Sequence, residues 1–173
     1  PWAVRRVVGI DESEGVVYIM ANAREPQEDP YYQHLYRVNL DGSGVQLLDP
    51  GNFDHRVQVG ESNRFFVGNY SRVNTVPSSV VIDANGRKIL DLEEADFSQL
   101  LAAGYQFPEP YSVKAADRIT DLYGVMYKPF DFDPTKQYPI IEFVYPGPQT
   151  ESVSKSFSTN RYETALAQFG FVV

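Results

Sequence analysis

The sequence contains no cysteine, which excludes disulfide staples, thiolate zinc sites and a cysteine nucleophile while leaving the compartment open. Histidine is almost as scarce: His34 and His55 are the only two in 173 residues. No apolar run approaches the ~20 residues that a membrane helix needs. Basic residues are outnumbered, 15 against 23 acidic ones, for a formal net charge of −8. That balance argues against binding a nucleic-acid backbone, which requires clustered Lys and Arg. There is no phosphate-cradling glycine loop, dinucleotide fingerprint or basic aromatic patch, so neither a cofactor nor a nucleic-acid partner is expected. A start methionine and signal peptide are also missing, and the opening Pro1-Trp2 reads as the edge of a trimmed or excised segment. What is present is 43% apolar and 14% aromatic residues, too many for a disordered chain and enough for one ordinary core or two modest ones.

The first 92 residues read as short strands separated by turn chemistry. Val4 to Ile10 is apolar and β-branched, Asp11-Glu12-Ser13-Glu14-Gly15 turns, and Val16 to Met20 resumes. His34 to Leu40 alternates, Asp41-Gly42-Ser43-Gly44 turns again, and Val45 to Leu48 returns. The pattern then repeats. A slide of 49 places Glu12-Ser13 on Glu61-Ser62 and Val16-Val17 on Phe65-Phe66, and a slide of 42 places Val38 to Asp49 on Val80 to Asp91. The insertion around Arg24-Glu25-Pro26-Gln27-Glu28-Asp29-Pro30 absorbs the difference. Two four-stranded units of roughly 40–50 residues match β-propeller blades. A propeller needs several blades to close, so two alone point again to a fragment.

After Asp91 the texture changes. Glu93 to Gly104 predicts a short helix with Asp96 as N-cap and Gly104 just past its end. Phe107-Pro108-Glu109-Pro110 predicts an extended linker. Tyr111 to Ala115 and Leu122 to Lys128 predict two strands about a turn at Ala116-Asp117-Arg118. Tyr138 to Tyr145 is the most apolar run and predicts a strand buried on both faces. A helix over Arg161 to Gln168, ended by Gly170, then leads into a buried strand at Phe171-Val172-Val173. Strand, helix, strand is the opening of a parallel α/β sheet.

The run Leu122-Tyr123-Gly124-Val125-Met126-Tyr127-Lys128-Pro129, then Phe132-Asp133-Pro134, Tyr138-Pro139, Val144-Tyr145-Pro146-Gly147-Pro148-Gln149 and the ending Leu166 to Val173 are distinctive. With His34-Leu35-Tyr36-Arg37-Val38, Leu48-Asp49-Pro50-Gly51, Phe53-Asp54-His55, Asn69-Tyr70-Ser71 and Pro77, they closely resemble the prolyl oligopeptidase clan of serine peptidases, best its dipeptidyl peptidase IV branch. The resemblance implies the last two blades of a β-propeller over residues 1–92 and a linker with a short helix over 93–111. Residues 112–173 would then be the first strands and helix of an α/β-hydrolase domain. It also implies a parent enzyme that releases N-terminal dipeptides, preferring Pro or Ala second, by a Ser-His-Asp triad. Relatives are commonly secreted, periplasmic or membrane-tethered, and many form homodimers.

Tested against the motif, the chain holds no Gly-x-Ser-x-Gly elbow: Gly42-Ser43-Gly44 lies in a hairpin turn, and Ser152, Ser154, Ser156 and Ser158 lack flanking glycines. Both histidines fall in the propeller half. The fragment alone is therefore expected to be inactive. Glu93-Glu94 are not the family's paired substrate-gripping glutamates, which belong to an earlier propeller segment. One catalytic element is carried over. Tyr145 stands where the family has its oxyanion-hole tyrosine, and a phenol at the carboxyl end of a parallel strand can donate to a developing oxyanion. The residues alone favour a strand-end aromatic packed on the next loop, and only the resemblance turns the reading toward an oxyanion donor. Pro146 replaces the small residue common in relatives and would stiffen that loop.

Other residues have plainer readings. Asp131 and Asp133 read as a solvated turn rather than a calcium loop, and Asp11, Glu12 and Glu14 as a wet hairpin tip. His55, with no second histidine near it in sequence, reads as structural. Tyr31-Tyr32 fits either a partner contact or a rim cover. Asn69-Tyr70-Ser71 fits a glycosylation acceptor but lies along a predicted strand. A stand-alone β-rich binding module, or a tripeptidyl or acylaminoacyl peptidase of the same clan, are the alternative functions.

Overall fold

The computed structural model describes residues 2–145, 147 and 152–173. Ten strands and two short helices are assigned there, so the chain is mainly β. It divides into two compact units, residues 1–72 with 77–95, and residues 73–76 with 96–173.

The first unit holds two antiparallel four-stranded sheets, each in simple meander order and neither closed on itself. The first consists of β1 (Ala3–Asp11), β2 (Val16–Asn22), β3 (Gln33–Asn39) and β4 (Gln46–Leu47). The second consists of β5 (Asp54–Val59), β6 (Phe65–Arg72), β7 (Thr75–Asp83) and β8 (Lys88–Glu94). Because side chains alternate along a strand, Val16, Tyr18 and Met20 of β2 point one way and Ile19 and Ala21 the other. The first set meets Leu35, Leu48, Val57, Phe66, Val80 and Ile82 in a core between the two sheets. The second packs with Tyr36 and Val38 on the far face, beside Trp2, Val45 and Leu47. Polar ties join the sheets as well: the Arg6 guanidinium donates to the Val57 carbonyl (2.6 Å), and the Asn63 amide donates to the Ile10 carbonyl (2.9 Å).

The repeat is real, but its register differs from the slide of 42. In the β3–β4 hairpin the Asn39 N–H donates to Ser43 and the Gly42 N–H to Asn39, while in the β7–β8 hairpin Asp83 and Arg87, Gly86 and Asp83 play those parts. The turn residues thus correspond as Asn39 with Asp83, not Asp41 with Asp83. β7 has nine residues against seven in β3, so the strand lengths leading into the two turns differ. β8 also runs further than expected. Glu93 and Glu94 pair with Ser79 and Ser78, so they belong to the sheet and not to a helix. Their helical propensity, a few tenths of a kcal/mol each, is outweighed by ladder pairing.

In the second unit, α1 covers only Ser98–Ala102, with Phe97 at the N-cap position. Asp96 instead accepts from the Ser98 N–H (2.9 Å) as a local turn. The expected stop at Gly104 is found: its φ is +95°, its N–H donates to Leu101, and the Tyr105 N–H donates to Leu100, a Schellman closure. β9 (Glu109–Lys114) and β10 (Asp121–Met126) form the expected hairpin. Its turn is closed by Asp117, whose carboxylate accepts from the Ile119 and Thr120 N–H groups. Beyond β10, Tyr127 exchanges both backbone hydrogen bonds with Val173. On its other side the 172–173 segment meets Ile140 in a parallel bridge. The helix α2 (Tyr162–Ala167) lies between these two parallel segments in sequence.

The reading of Tyr138 to Tyr145 as a strand buried on both faces is not met. Only Ile140 bridges, and it is 76% exposed, as Phe143, Val144 and Tyr145 largely are. The reason is geometric: the ladder to 172–173 ends at Ile141, and the residues after it carry apolar side chains with no sheet layer over them.

Candidate functional site

Tyr145 sits four residues past the last ladder hydrogen bond, from the Ile141 N–H to the Val172 carbonyl (2.9 Å). The start of its segment is fixed by Tyr138, whose ring stacks on Phe132 (4.9 Å between centroids) and whose hydroxyl accepts from the Asp133 N–H (2.9 Å). Asp133 in turn accepts from the hydroxyl and backbone N–H of Thr135, which hold its carboxyl below the usual range. Nearer Tyr145, the ring of Phe143 meets that of Tyr162, the first residue of α2, edge-on at 5.9 Å. The Tyr145 phenol is 63% exposed. It lies beyond the carboxyl end of the segment that pairs in parallel with residues 172–173. Pro146, read as a stiffening residue, lies outside the described residues.

The two histidines form a second constellation, in the first unit. His55 has no second histidine near it in sequence, but β3 and β5 bring it to 4.8 Å from His34, ring centroid to centroid. His34 Nε2 lies 2.8 Å from Glu28 Oε2, and its Nδ1 lies 3.3 Å from the Asp49 carbonyl and 3.6 Å from Asp49 Oδ1. His55 Nδ1 lies 3.4 Å from Asp49 Oδ2, and its Nε2 lies 3.2 Å from the Gly51 carbonyl. Asp49 also accepts from the Leu35 N–H (2.7 Å), and Asp54 from the Gln33 N–H (3.3 Å). Burial alone would lower His34, but Asp49 and Glu28 outweigh it and lift it to about 9. For His55 burial wins, aided by the His34 charge, and its value falls below the ordinary one. Burial raises Asp54, against the Gln33 N–H and Arg56.

With these partners the imidazoles are tied into the sheets. The 21-residue separation of the histidines carried no signal, since sheet packing and not spacing joins them. Of Tyr31-Tyr32, the first is exposed and the second buried. Asn69 lies inside β6, its side-chain oxygen accepting from the Ser79 hydroxyl (2.6 Å), so the acceptor pattern is embedded in a sheet. Among the described residues no three His, Asp or Glu side chains are grouped to hold a metal ion, and no helix is long and apolar enough to cross a membrane.

The class emerges from comparison with known proteins. Residues 1–77 match the family model described as the dipeptidyl peptidase IV (DPP IV) N-terminal region, and most of the chain aligns with a stretch of dipeptidyl peptidases. It is 28% identical to dipeptidyl-aminopeptidase B of Aspergillus niger, over 95% of this chain and 18% of that protein. It is 30% identical to dipeptidyl peptidase 8 of Mus musculus, over 96% of this chain and 19% of the relative. The crystal structure of Porphyromonas gingivalis dipeptidyl peptidase 4 superposes with a TM-score of 0.77 at 25% identity, covering 99% of this chain and 24% of that one. The chain therefore spans about a fifth of the length of the curated relatives it matches.

Proposed function

We propose that the chain is part of a serine exopeptidase that releases N-terminal dipeptides of the X-Pro or X-Ala kind, with Tyr145 as an oxyanion donor. In this reading residues 1–92 are the last two blades of a β-propeller. The linker runs to residue 111, and residues 112–173 open an α/β-hydrolase domain. The observation that carries the proposal is Tyr145 at the carboxyl end of a strand segment that pairs in parallel with the segment following α2. In open α/β sheets that end is where ligands bind.

The chemistry follows from the residue types. A serine attacks the scissile carbonyl and a histidine takes its proton. As the carbonyl carbon becomes tetrahedral, negative charge collects on its oxygen, and the Tyr145 O–H donates a hydrogen bond to it. We assign the triad to parts of the parent enzyme outside these 173 residues. Both histidines present are engaged with Glu28, Asp49 and Gly51, far in role from a proton shuttle. Peptides are the substrates, no cofactor takes part, and the parent is a homodimer acting in the periplasm, outside the cell or at its surface. The test is hydrolysis of a Gly-Pro chromogenic substrate: the parent enzyme should cleave it and the 173-residue chain should not. Cleavage by the chain alone would overturn the assignment of the triad, and a parent without activity on this substrate would overturn the dipeptidase reading.

A further inference from the structure

The connection between β2 and β3, residues 23–32, is held in an unusual way. Ala23 and Gln27 both have left-handed backbones, at φ 62° and 68°, which non-glycine residues adopt only where their surroundings hold them. Three side chains hold this loop down. The Arg24 guanidinium lies 4.8 Å from the Trp2 ring centroid, Glu25 accepts from the Tyr36 hydroxyl (2.8 Å), and Glu28 meets His34 Nε2 (2.8 Å). The last of these reaches furthest, because the other nitrogen of the same imidazole faces Asp49 in the connector between β4 and β5.

We propose that His34, protonated on both nitrogens, is a proton-operated latch that ties the 23–32 loop to the β4–β5 connector and lets the loop go when one proton is lost. The geometry demands both protons. A neutral imidazole has one N–H and one lone pair, so with acceptors on both sides one contact must become lone pair against lone pair. The remaining groups around the ring fit this role. From the loop come Glu25, Glu28 and Asp29, and from the connector Asp49. From β5 come Asp54, Arg56 and His55, and from β3 Tyr36, whose ring lies 6.4 Å from that of His34. From β6 come Tyr70, 5.6 Å from the His55 ring, and Arg72, which stacks over Phe53. Carboxylates predominate near His34, and the value of about 9 agrees with a resident proton at neutral pH. His55 also faces two acceptors but stands against a charged neighbour, so the proton resides on His34.

The experiment follows the two imidazoles by nitrogen NMR in the whole chain, with backbone amide exchange of Gln27, Glu28, Asp29 and Tyr31 corrected for intrinsic rates, from about pH 7 to about pH 10. The latch predicts two N–H groups on His34 at neutral pH, their loss near pH 9, and at least a roughly tenfold fall in loop protection over the same interval. Glu28→Gln should move both midpoints together to lower pH. If that variant fails to fold, the unaltered chain decides alone. A neutral His34 at pH 7, or loop protection that stays flat while His34 titrates, would overturn the proposal.

Discussion

Replacing Phe66 by alanine tests how the two sheets of the first unit are held together. Phe66 is 0% exposed and lies in the core shared by both sheets, its ring tilted against that of Tyr18 at 4.8 Å. The cluster it belongs to draws on β2, β3, β5 and β7, so the gap left by the ring lies among side chains of both sheets. Truncations of this kind cost about 3–5 kcal/mol, and the shared, two-sided setting argues for roughly 4. In a chain of this size that corresponds to a fall in melting temperature of about 8–16 °C. Phe65, next along β6, faces the other way and is 46% exposed, so Phe65→Ala should cost about 1 kcal/mol or less. Urea unfolding followed by fluorescence reads the correct unit, because the single tryptophan, Trp2, packs edge-on against Tyr36 at 5.3 Å. Equal losses for the two variants would refute the claim that the β6 face bearing Phe66 is the one between the sheets.

Stability of the first unit should also depend on pH in a definite sense. His34 is raised, so its contribution is fully present below about 6.5 and lost as pH rises through about 9; 2.5 units at 1.36 kcal/mol each gives about 3 kcal/mol. His55 is lowered, so stability should also decline as pH falls below about 6.5. Melting temperature against pH should therefore peak near pH 6.5, fall progressively from there to about pH 9 as the His34 contribution is lost, and fall again on the acid side; a flat or rising curve between pH 6.5 and 9 would contradict it. Two glycines with similar backbones should respond differently to alanine. At Gly86 (φ +82°) an added Cβ would stand 2.7 Å from the Leu48 carbonyl oxygen, whereas at Gly42 (φ +86°) it meets open space. Gly42→Ala should cost about 1–2 kcal/mol for the backbone alone, and Gly86→Ala clearly more, as read from the same urea curves.

The parts of this structure legible in the sequence are those fixed by local chemistry. Turn residues such as Asp11, Asp83 and Asp117 mark hairpins because their carboxylates accept neighbouring N–H groups, and that needs no distant partner. The two-sheet repeat was legible for the same reason, although the turn correspondence of Asn39 with Asp83 was not, because strand length is set by pairing. The apolar run of residues 138–145 predicts burial, but burial depends on layers that a linear pattern does not supply, and Ile140, Phe143, Val144 and Tyr145 are exposed. Glu93 and Glu94 failed in the opposite direction, as good helix formers drawn into β8. The His34–His55 cluster was illegible altogether, since it exists only through the packing of β3 against β5.

The central claim is that Tyr145 serves peptide-bond hydrolysis, and the turnover of the parent enzyme carrying Tyr145→Phe tests it most directly. Loss of one oxyanion donor lowers kcat by about 10²–10³. The account predicts such a fall for the parent enzyme on a Gly-Pro chromogenic substrate, with KM little changed and folding intact, since the 63%-exposed phenol contributes little to packing. A variant that turns over as fast as the unaltered enzyme would contradict it.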